Sequence, residues 1–348
     1  MMVQIPSPEV EMGPLVDLIM GAEKFRALAT GIRYEIFTLC KSPKTLKDVC
    51  SALKTDPKMT RKILNALAAI NLLSKSGDKY VNEPIANTFL VKDSPFYQGD
   101  YIRLEESGYN LWPKFDQALK EGIKTVDMTK MKAKTEDLEK VVDPTFTLTM
   151  ANFAMRGGVH QVVKVLSEAP EFKKAKRMLD LGGGTGIYSI GLALSNPDLE
   201  ITVFDIPPVL GITKEYISRY GVEERFKMKG GNYIQDDFGE GYDIVFASHT
   251  FYGYSKEMLL SLLQRIHKAL NNGGIIVSNH FALNEDGVGH KITVFWDLWL
   301  TLYSYKTPTY TNDEYANLLK EAGFTVIQTI DISTPSYPST LMIGKKEV

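Results

Sequence analysis

Ten residues, SHTFYGYSKE from Ser248 to Glu257, bring together a histidine, two tyrosines, serines and a lysine. They follow the apolar run YDIVFA and precede KEMLLSLLQRIHKAL, where a strand hands over to a helix. Such side chains bind polar ligands and move protons. A second stretch, MLDLGGGTGIYS (Met178 to Ser189), ends a strand at Asp180 and turns into a helix through Gly182, Gly183, Gly184 and Gly186. Glycines permit left-handed turn angles and let a ligand approach the main chain closely. The spacing departs from the dinucleotide fingerprint and no Walker lysine follows, so a pyrophosphate is not the indicated ligand. The next strand ends VFDIPP, where the Asp205 carboxylate suits the two hydroxyls of a ribose; the plainer alternative is a turn aspartate before Pro207. A third strand end, GGNYIQDDF, carries Asn232 and Tyr233. There an amide can bond the exocyclic amine of an adenine and a ring can cover the base, unless the segment is an ordinary loop.

The elements that would hold these residues alternate. From about Lys174 onward, short apolar runs and helical patterns follow one another: RMLDLG, GIYSIGLALSNP, EITVFDI, VLGITKEYISRYG, YDIVFASH, KEMLLSLLQRIHKALNNGG, GIIVSNHFAL. That order predicts an α/β doubly wound sheet of parallel strands, Rossmann-like, with ligands beyond the carboxyl ends of the strands. The first half reads as helical instead. LVDLIMGAEKFRALATGIRYEIF keeps apolar residues at helical spacing, and TLKDVCSALKTD and DPKMTRKILNALAAINLLSK form a helix pair, the second opening on Asp56 with Pro57 at its first position. GDKYVNEP adds a short turn and strand, which completes the outline of an α-helical winged-helix domain. The expected division is 1–105 as the winged-helix-like domain, 106–173 as a helical linker region lining the active site, and 174–348 as the Rossmann-like domain. The linker region contains a Lys-rich stretch, KTVDMTKMKAKTEDLEK.

A winged helix raises DNA binding, and nine Lys/Arg stand against three Asp between Lys41 and Tyr80. The competing explanation is a solvated helical face whose apolar stripe (Ile63, Leu64, Leu67, Ile70, Leu73) turns to a core. The chain-wide net charge of -2 argues against a general nucleic-acid surface. No apolar run approaches the ~18 residues of a membrane span, and no secretory signal is visible at the N-terminus. The two cysteines, Cys40 and Cys50, show no metal-ligand spacing and read as small hydrophobes in a reducing cytoplasm. Scattered His and carboxylates give no metal pattern either, so no metal is expected.

Taken in order and spacing, LDLGGGTG, FDIPPV, GGNY, YDIVFASHTFYGYSKE, ALNNGGIIV and EYANLLKEAGF resemble the class I S-adenosylmethionine-dependent methyltransferases. The resemblance is to the two-domain small-molecule O-methyltransferases of the hydroxyindole and caffeate type, and it runs from about Leu15 onward. It implies S-adenosyl-L-methionine as cofactor and a homodimer formed through the N-terminal domain. Asp180, Gly182 and Gly184 would then belong to the cofactor site, with Gly182 near the methionine part. Asp205 would meet the ribose, Asn232 (commonly Asp in the family) and Tyr233 the adenine, and Ser248 the methionyl side. Phe146 and Met150, in DPTFTLTM, match a segment that lines the methyl-transfer site.

One departure bears on mechanism. O-methylating members carry His-Asp-Trp where this chain has Tyr252-Gly253-Tyr254, and their orienting Glu corresponds to Asn279; a further acidic position corresponds to Thr309. Tyr252 and Asn279 therefore occupy the catalytic places, with Tyr252 expected to face the acceptor or to be a packing aromatic. A bacteriochlorophyllide C-methyltransferase of the superfamily is similar in carrying Tyr there. Tyrosine, with an ordinary pKa of about 10, is a poor base at neutral pH. The acceptor is then carbon, nitrogen, sulfur or an ionised oxygen, or His280 or His290 supplies the base, or methylation has been lost. His249 is read as a bystander, and His160 and His267 as ordinary helix residues. ITVFWDLWLTLYSY spaces Phe295, Trp299 and Tyr303 four apart beside Trp296. The corresponding family helix lines the acceptor pocket, which suggests a flat, apolar small-molecule acceptor; core or dimer contact is the alternative. The leading expectation is a methyltransferase, against a ligand-sensing DNA-binding regulator or a non-methylating relative that uses the cofactor otherwise.

Overall fold

A computed structural model describes residues 9–122, 144–252, 254–302 and 309–347. The chain divides into two units, Met1–Ser107 and Gly108–Val348. The Lys-rich stretch 124–140, Gly253 and Tyr303 lie outside the described residues. No described helix is long and apolar enough to cross a membrane.

The first unit combines helices with a three-stranded antiparallel sheet, β1 (Lys44–Thr45), β2 (Leu73–Ser76) and β3 (Lys79–Asn82), in the order β1-β3-β2. Thr45 and Asp48 close a reciprocal capping box on the helix Leu46–Leu53, and the Asp56 carboxylate accepts from the Met59 N–H on the helix Pro57–Ala69. These caps satisfy amides that a helix start leaves unpaired. The apolar stripe turns inward: Leu64 and Leu67 are fully buried with Phe37 and Tyr80, and Ile63 and Ile70 pack against the same core. The second helix is shorter than its apolar pattern predicts. It stops at Ala69 because Asn71 takes a left-handed conformation (φ 57°), and the chain re-enters as β2. Asparagine tolerates that region better than most residues.

The second unit is built on a seven-stranded sheet: β4 (Arg177–Leu181), β5 (Glu200–Asp205), β6 (Phe226–Gly230), β7 (Tyr242–Ser248), β8 (Leu270–His280), β9 (Thr325–Asp331) and β10 (Thr340–Lys345). The order is β6-β5-β4-β7-β8-β10-β9. Strands β4 to β8 are parallel, as the alternating pattern predicts, while β10 runs antiparallel to both β8 and β9. Parallel neighbours need a crossover, and only eight residues (332–339) separate β9 from β10, so that pair closes antiparallel. Buried cores lie on both faces of the sheet. One holds Val162, Leu166 and Phe172 from the helical segment before β4, and the other holds Leu259, Leu263 and Leu318. Strand alternation sends β8 neighbours to opposite faces. Asn279 reaches Ser248 and Tyr337, whereas the His280 ring stacks against Tyr315 on the helix Asn312–Glu321.

Candidate functional site

A cavity of about 460 Å³ lies at the carboxyl ends of β4, β5 and β7. Its floor is the glycine turn, which the chain enters through Gly182 (φ 71°) and leaves through Gly184 (φ 57°) and Gly186 (φ 74°). A Cβ on Gly182 would stand 2.9 Å from Thr250 Cγ2, and one on Gly183 would stand 2.7 Å from Asp180 Oδ2. A side chain is therefore excluded at Gly182 by both angle and space and at Gly183 by space. The Gly184 N–H donates to Asp205 Oδ2 (2.8 Å) and the Ile206 N–H to Asp205 Oδ1 (2.7 Å), which aims the carboxylate along the cavity wall. Burial raises the Asp205 pKa against the lowering by those two amides. Asp180, 2% exposed, accepts from Ser189 Oγ at 2.5 Å. Burial pushes its carboxyl up to about 7; the Ser189 hydroxyl opposes the shift and the Asp205 charge adds to it.

Most of the rest of the wall is apolar or aromatic; Thr147, Thr185 and two residues at the end of β7 add polar groups. Phe146, Met150 and Phe153 enter from the helix Pro144–Ala154, Tyr188 from the helix after the glycine turn, and Ser248 and His249 from β7. His249 was expected to be a bystander; its imidazole instead forms part of the wall. Its backbone is left-handed (φ 52°), an uncommon state for a non-glycine residue, and its N–H donates to the Asn279 carbonyl (2.8 Å). Nδ1 lies 3.0 Å from the Tyr252 hydroxyl and Nε2 lies 2.9 Å from the Tyr337 hydroxyl. Burial, with His280 nearby, pushes its pKa down to about 3, so the ring is neutral at physiological pH.

Tyr252 does not form part of the cavity wall. Its oxygen accepts the Phe281 N–H at 2.6 Å, which leaves its proton for His249 Nδ1. Burial and the neighbouring Tyr315 raise its pKa well above the ordinary value, so it stays protonated at neutral pH. Tyr252→Phe would leave the Phe281 amide without an acceptor. We expect a loss of about 1–3 kcal/mol in stability, read by denaturant titration; unchanged stability would show that the amide finds another partner. Asn279 is fully buried and spends both amide groups: Nδ2 donates to Ser248 Oγ (2.8 Å) and Tyr337 (2.9 Å), and Oδ1 accepts from Ser339 (2.6 Å).

Of the residues singled out by sequence, Asp180, Gly182, Gly184, Asp205, Ser248, Phe146 and Met150 meet around the cavity. Asn232 and Tyr233 are not in its wall. The Tyr233 ring flanks the glycine turn and its hydroxyl pairs with Tyr254 at 2.8 Å. Phe295 is 60% exposed, and Trp299 stacks on Trp296 at 5.1 Å, both outside the cavity wall. His280 sits on the opposite sheet face and His290 accepts from the Ile292 N–H at the start of the helix Lys291–Leu302, so neither imidazole reaches the cavity. Thr309 is buried, and its N–H donates to Asp297 (2.8 Å). Sequence reasoning missed Tyr188, Phe153 and Tyr337. Tyr188 lies two residues past the last glycine of the turn, a position that could have flagged it.

Among the described residues no cluster of His, Cys, Asp or Glu could hold a metal ion. The family model of the O-methyltransferase domain matches residues 136–325, more than half of the chain, and that of the O-methyltransferase dimerisation domain matches 16–92. The tetracenomycin polyketide synthesis 8-O-methyl transferase TcmO of Streptomyces glaucescens is 28% identical over 339 residues, covering 96% of each chain. The N,N-dimethyltransferase OxyT of Streptomyces rimosus is 26% identical, covering 92% of this chain and 93% of its own. Human N-acetylserotonin methyltransferase, solved in complex with SAM, shares the fold with a TM-score of 0.81 at 21% identity, covering 99% of this chain and 100% of that one. The chain thus belongs to the O-methyltransferase family, with a methyltransferase domain that follows the family's dimerisation domain.

Proposed function

We propose that this protein is a homodimer that transfers the methyl group of S-adenosyl-L-methionine to a small aromatic or conjugated acceptor. The observation that carries this reading is the cavity itself, whose wall runs from a side-chain-free glycine turn and a backbone-anchored carboxylate to a set of aromatic rings. Those residues fit the cofactor. A turn without Cβ atoms at Gly182, Gly183 and Gly184 admits a methionine chain, the Asp205 oxygens retain lone pairs for ribose hydroxyls, and two carboxylates complement a cationic ligand. Asn232 Oδ1 accepts the Ile234 N–H (3.0 Å) and keeps a second lone pair for an exocyclic amine, while its Nδ2 donor suits a ring nitrogen. Phe146, Met150 and Phe153 would cover the acceptor and keep water from it. When bound, the cofactor supplies an activated methyl on a sulfonium for in-line displacement.

The positions of the family's base pair hold Tyr252 and Asn279, and both are committed to holding their neighbours. This favours an acceptor atom already nucleophilic at neutral pH: an ionised oxygen, a nitrogen, a sulfur or a carbon. The relatives TcmO and OxyT, named for O- and N-methylation, are in keeping with an acceptor atom that the fold alone leaves open. Calorimetry with S-adenosylhomocysteine is expected to show saturable binding at one site per chain. Methyl-labelled cofactor with fractionated extract is expected to label an aromatic product. Folded protein that gives no heat with S-adenosylhomocysteine would end the proposal; binding without any labelled product would favour a non-methylating use of the cofactor.

A further inference from the structure

The Tyr337 hydroxyl, fully buried in the turn between β9 and β10, meets three side chains from three other elements. It lies 2.5 Å from the Tyr188 hydroxyl, 2.9 Å from His249 Nε2 and 2.9 Å from Asn279 Nδ2. A phenol has one proton and two lone pairs, so these three bonds saturate it and their directions can be assigned. Asn279 Nδ2 only donates. Tyr252 already accepts from Phe281, so its proton points to His249 Nδ1 and the imidazole carries its own proton on Nε2. Nε2–H then donates to Tyr337, and the Tyr337 proton passes to Tyr188. The reverse arrangement, with Nδ1–H donating to Tyr252 and Nε2 accepting from Tyr337, leaves the Tyr252 proton without an acceptor among these groups, whereas here the Tyr188 hydroxyl keeps Ser248 as a further partner. Tyr188, His249 and, through Asn279, Ser248 are the polar or hydroxylated members of the cavity wall that this one phenol ties together.

The seat of the ring is also provided for. A Cβ on Gly158, at the start of the helix Gly158–Glu168, would stand 2.5 Å from Tyr337 Cζ and 2.8 Å from the Tyr188 hydroxyl. Phe153, itself in the cavity wall, packs against the Tyr337 ring at 5.1 Å.

The geometry points to Tyr337 as a positioning residue for methyl transfer: its hydroxyl is the partner that keeps a proton on His249 Nε2 satisfied, and it sets the aim of that ring and the orientation of Tyr188 and Ser248 on the wall that faces the acceptor. This rests on the function proposed above. Tyr337 touches neither cofactor nor acceptor and acts through the residues it holds.

Tyr337→Phe removes one oxygen and keeps the ring. In protein labelled with [15N]histidine, the wild-type His249 signals are expected to report the Nε2–H tautomer; in the variant Nε2–H has lost its acceptor while Nδ1–H can donate to the second lone pair of Tyr252, so a mixture with Nδ1–H is expected. Turnover of labelled cofactor with the extract fraction identified above is expected to fall roughly 10- to 100-fold, as for a misplaced catalytic wall, while S-adenosylhomocysteine binds as before. Wild-type turnover, or a wild-type tautomer signal whatever the turnover, overturns the inference, the second outcome assigning the ring to packing. If Tyr337→Phe does not fold, Gly158→Ala, which keeps every hydroxyl but crowds the ring, must show the same tautomer change. Wild-type protein that binds no S-adenosylhomocysteine would defeat the proposed function instead, before Tyr337 is tested.

Discussion

Gly182→Ala is expected to weaken S-adenosylhomocysteine binding by roughly 10- to 100-fold, the equivalent of the ~1–3 kcal/mol a non-glycine residue costs in a disfavoured backbone region. Two effects combine at this position. The backbone holds φ at 71°, and the added Cβ would stand 2.9 Å from Thr250 Cγ2, whose hydroxyl in turn donates to the Leu181 carbonyl at 3.1 Å. Neither the turn nor the β7 end can yield without moving the other. Gly184→Ala separates the two effects, because Gly184 also has positive φ but nothing lies within 4 Å of its Cβ direction. Calorimetry should therefore find the Gly184 variant less impaired than the Gly182 variant. Equal loss in both would assign the effect to backbone strain alone, and no loss in either would detach the turn from cofactor binding.

The contrast between these glycines and the acceptor wall shows which features a sequence makes legible. A glycine turn after a strand is read from local rules, since the left-handed angles and the strand-to-helix hand-over are properties of neighbouring residues. Asp180, Asp205 and Ser248 were singled out for the same reason, and all three line the cavity: each is at the end of a strand, where ligands of such sheets bind. The polar chain behind the acceptor wall obeys no local rule. His249 and Tyr337 are 88 positions apart, and the left-handed angle that turns the imidazole into the cavity leaves no trace in composition. Tyr252 was left between facing the acceptor and packing because its residue type was weighed without its hydrogen-bond partner. The Phe281 amide, on the chain leaving β8, claims the phenol oxygen, and Tyr252 stands outside the cavity wall. The positions of Asn279 and His280 on opposite faces were legible from alternation along β8, and this removes His280 as a substitute base.

Cofactor affinity is expected to depend on pH through Asp180, and the sign follows from its surroundings. The carboxyl faces the Ser189 hydroxyl and shares the cavity with the Asp205 carboxylate. Burial raises its pKa to about 7, so below that pH it holds a proton in the ligand-free protein. A cationic cofactor favours the ionised form, so binding at lower pH must expel the proton, and affinity falls by about tenfold per pH unit below that pKa. Above about 7 the dependence disappears. Folding stability of the ligand-free protein responds in the opposite sense. The unfolded carboxyl ionises near its ordinary value of about 3.9, so between there and about 7 only the folded state holds the proton, and this contribution is lost as pH rises. Two buried imidazoles, His249 and His280, have their pKa values pushed down to about 3 and about 4, and they add stability as pH rises through the same range. The total curve thus mixes opposing groups, and the difference between wild type and Asp180→Asn isolates the carboxyl. The amide keeps an acceptor for Ser189 Oγ but does not titrate. Calorimetry with S-adenosylmethionine from pH 5.5 to 8 should show the slope in wild type and lose it in the variant, with proton release in wild type scaling with buffer ionisation enthalpy. A slope that persists in Asp180→Asn would move the titrating group elsewhere, with Asp205, also raised by burial, the next carboxylate on the same cavity wall.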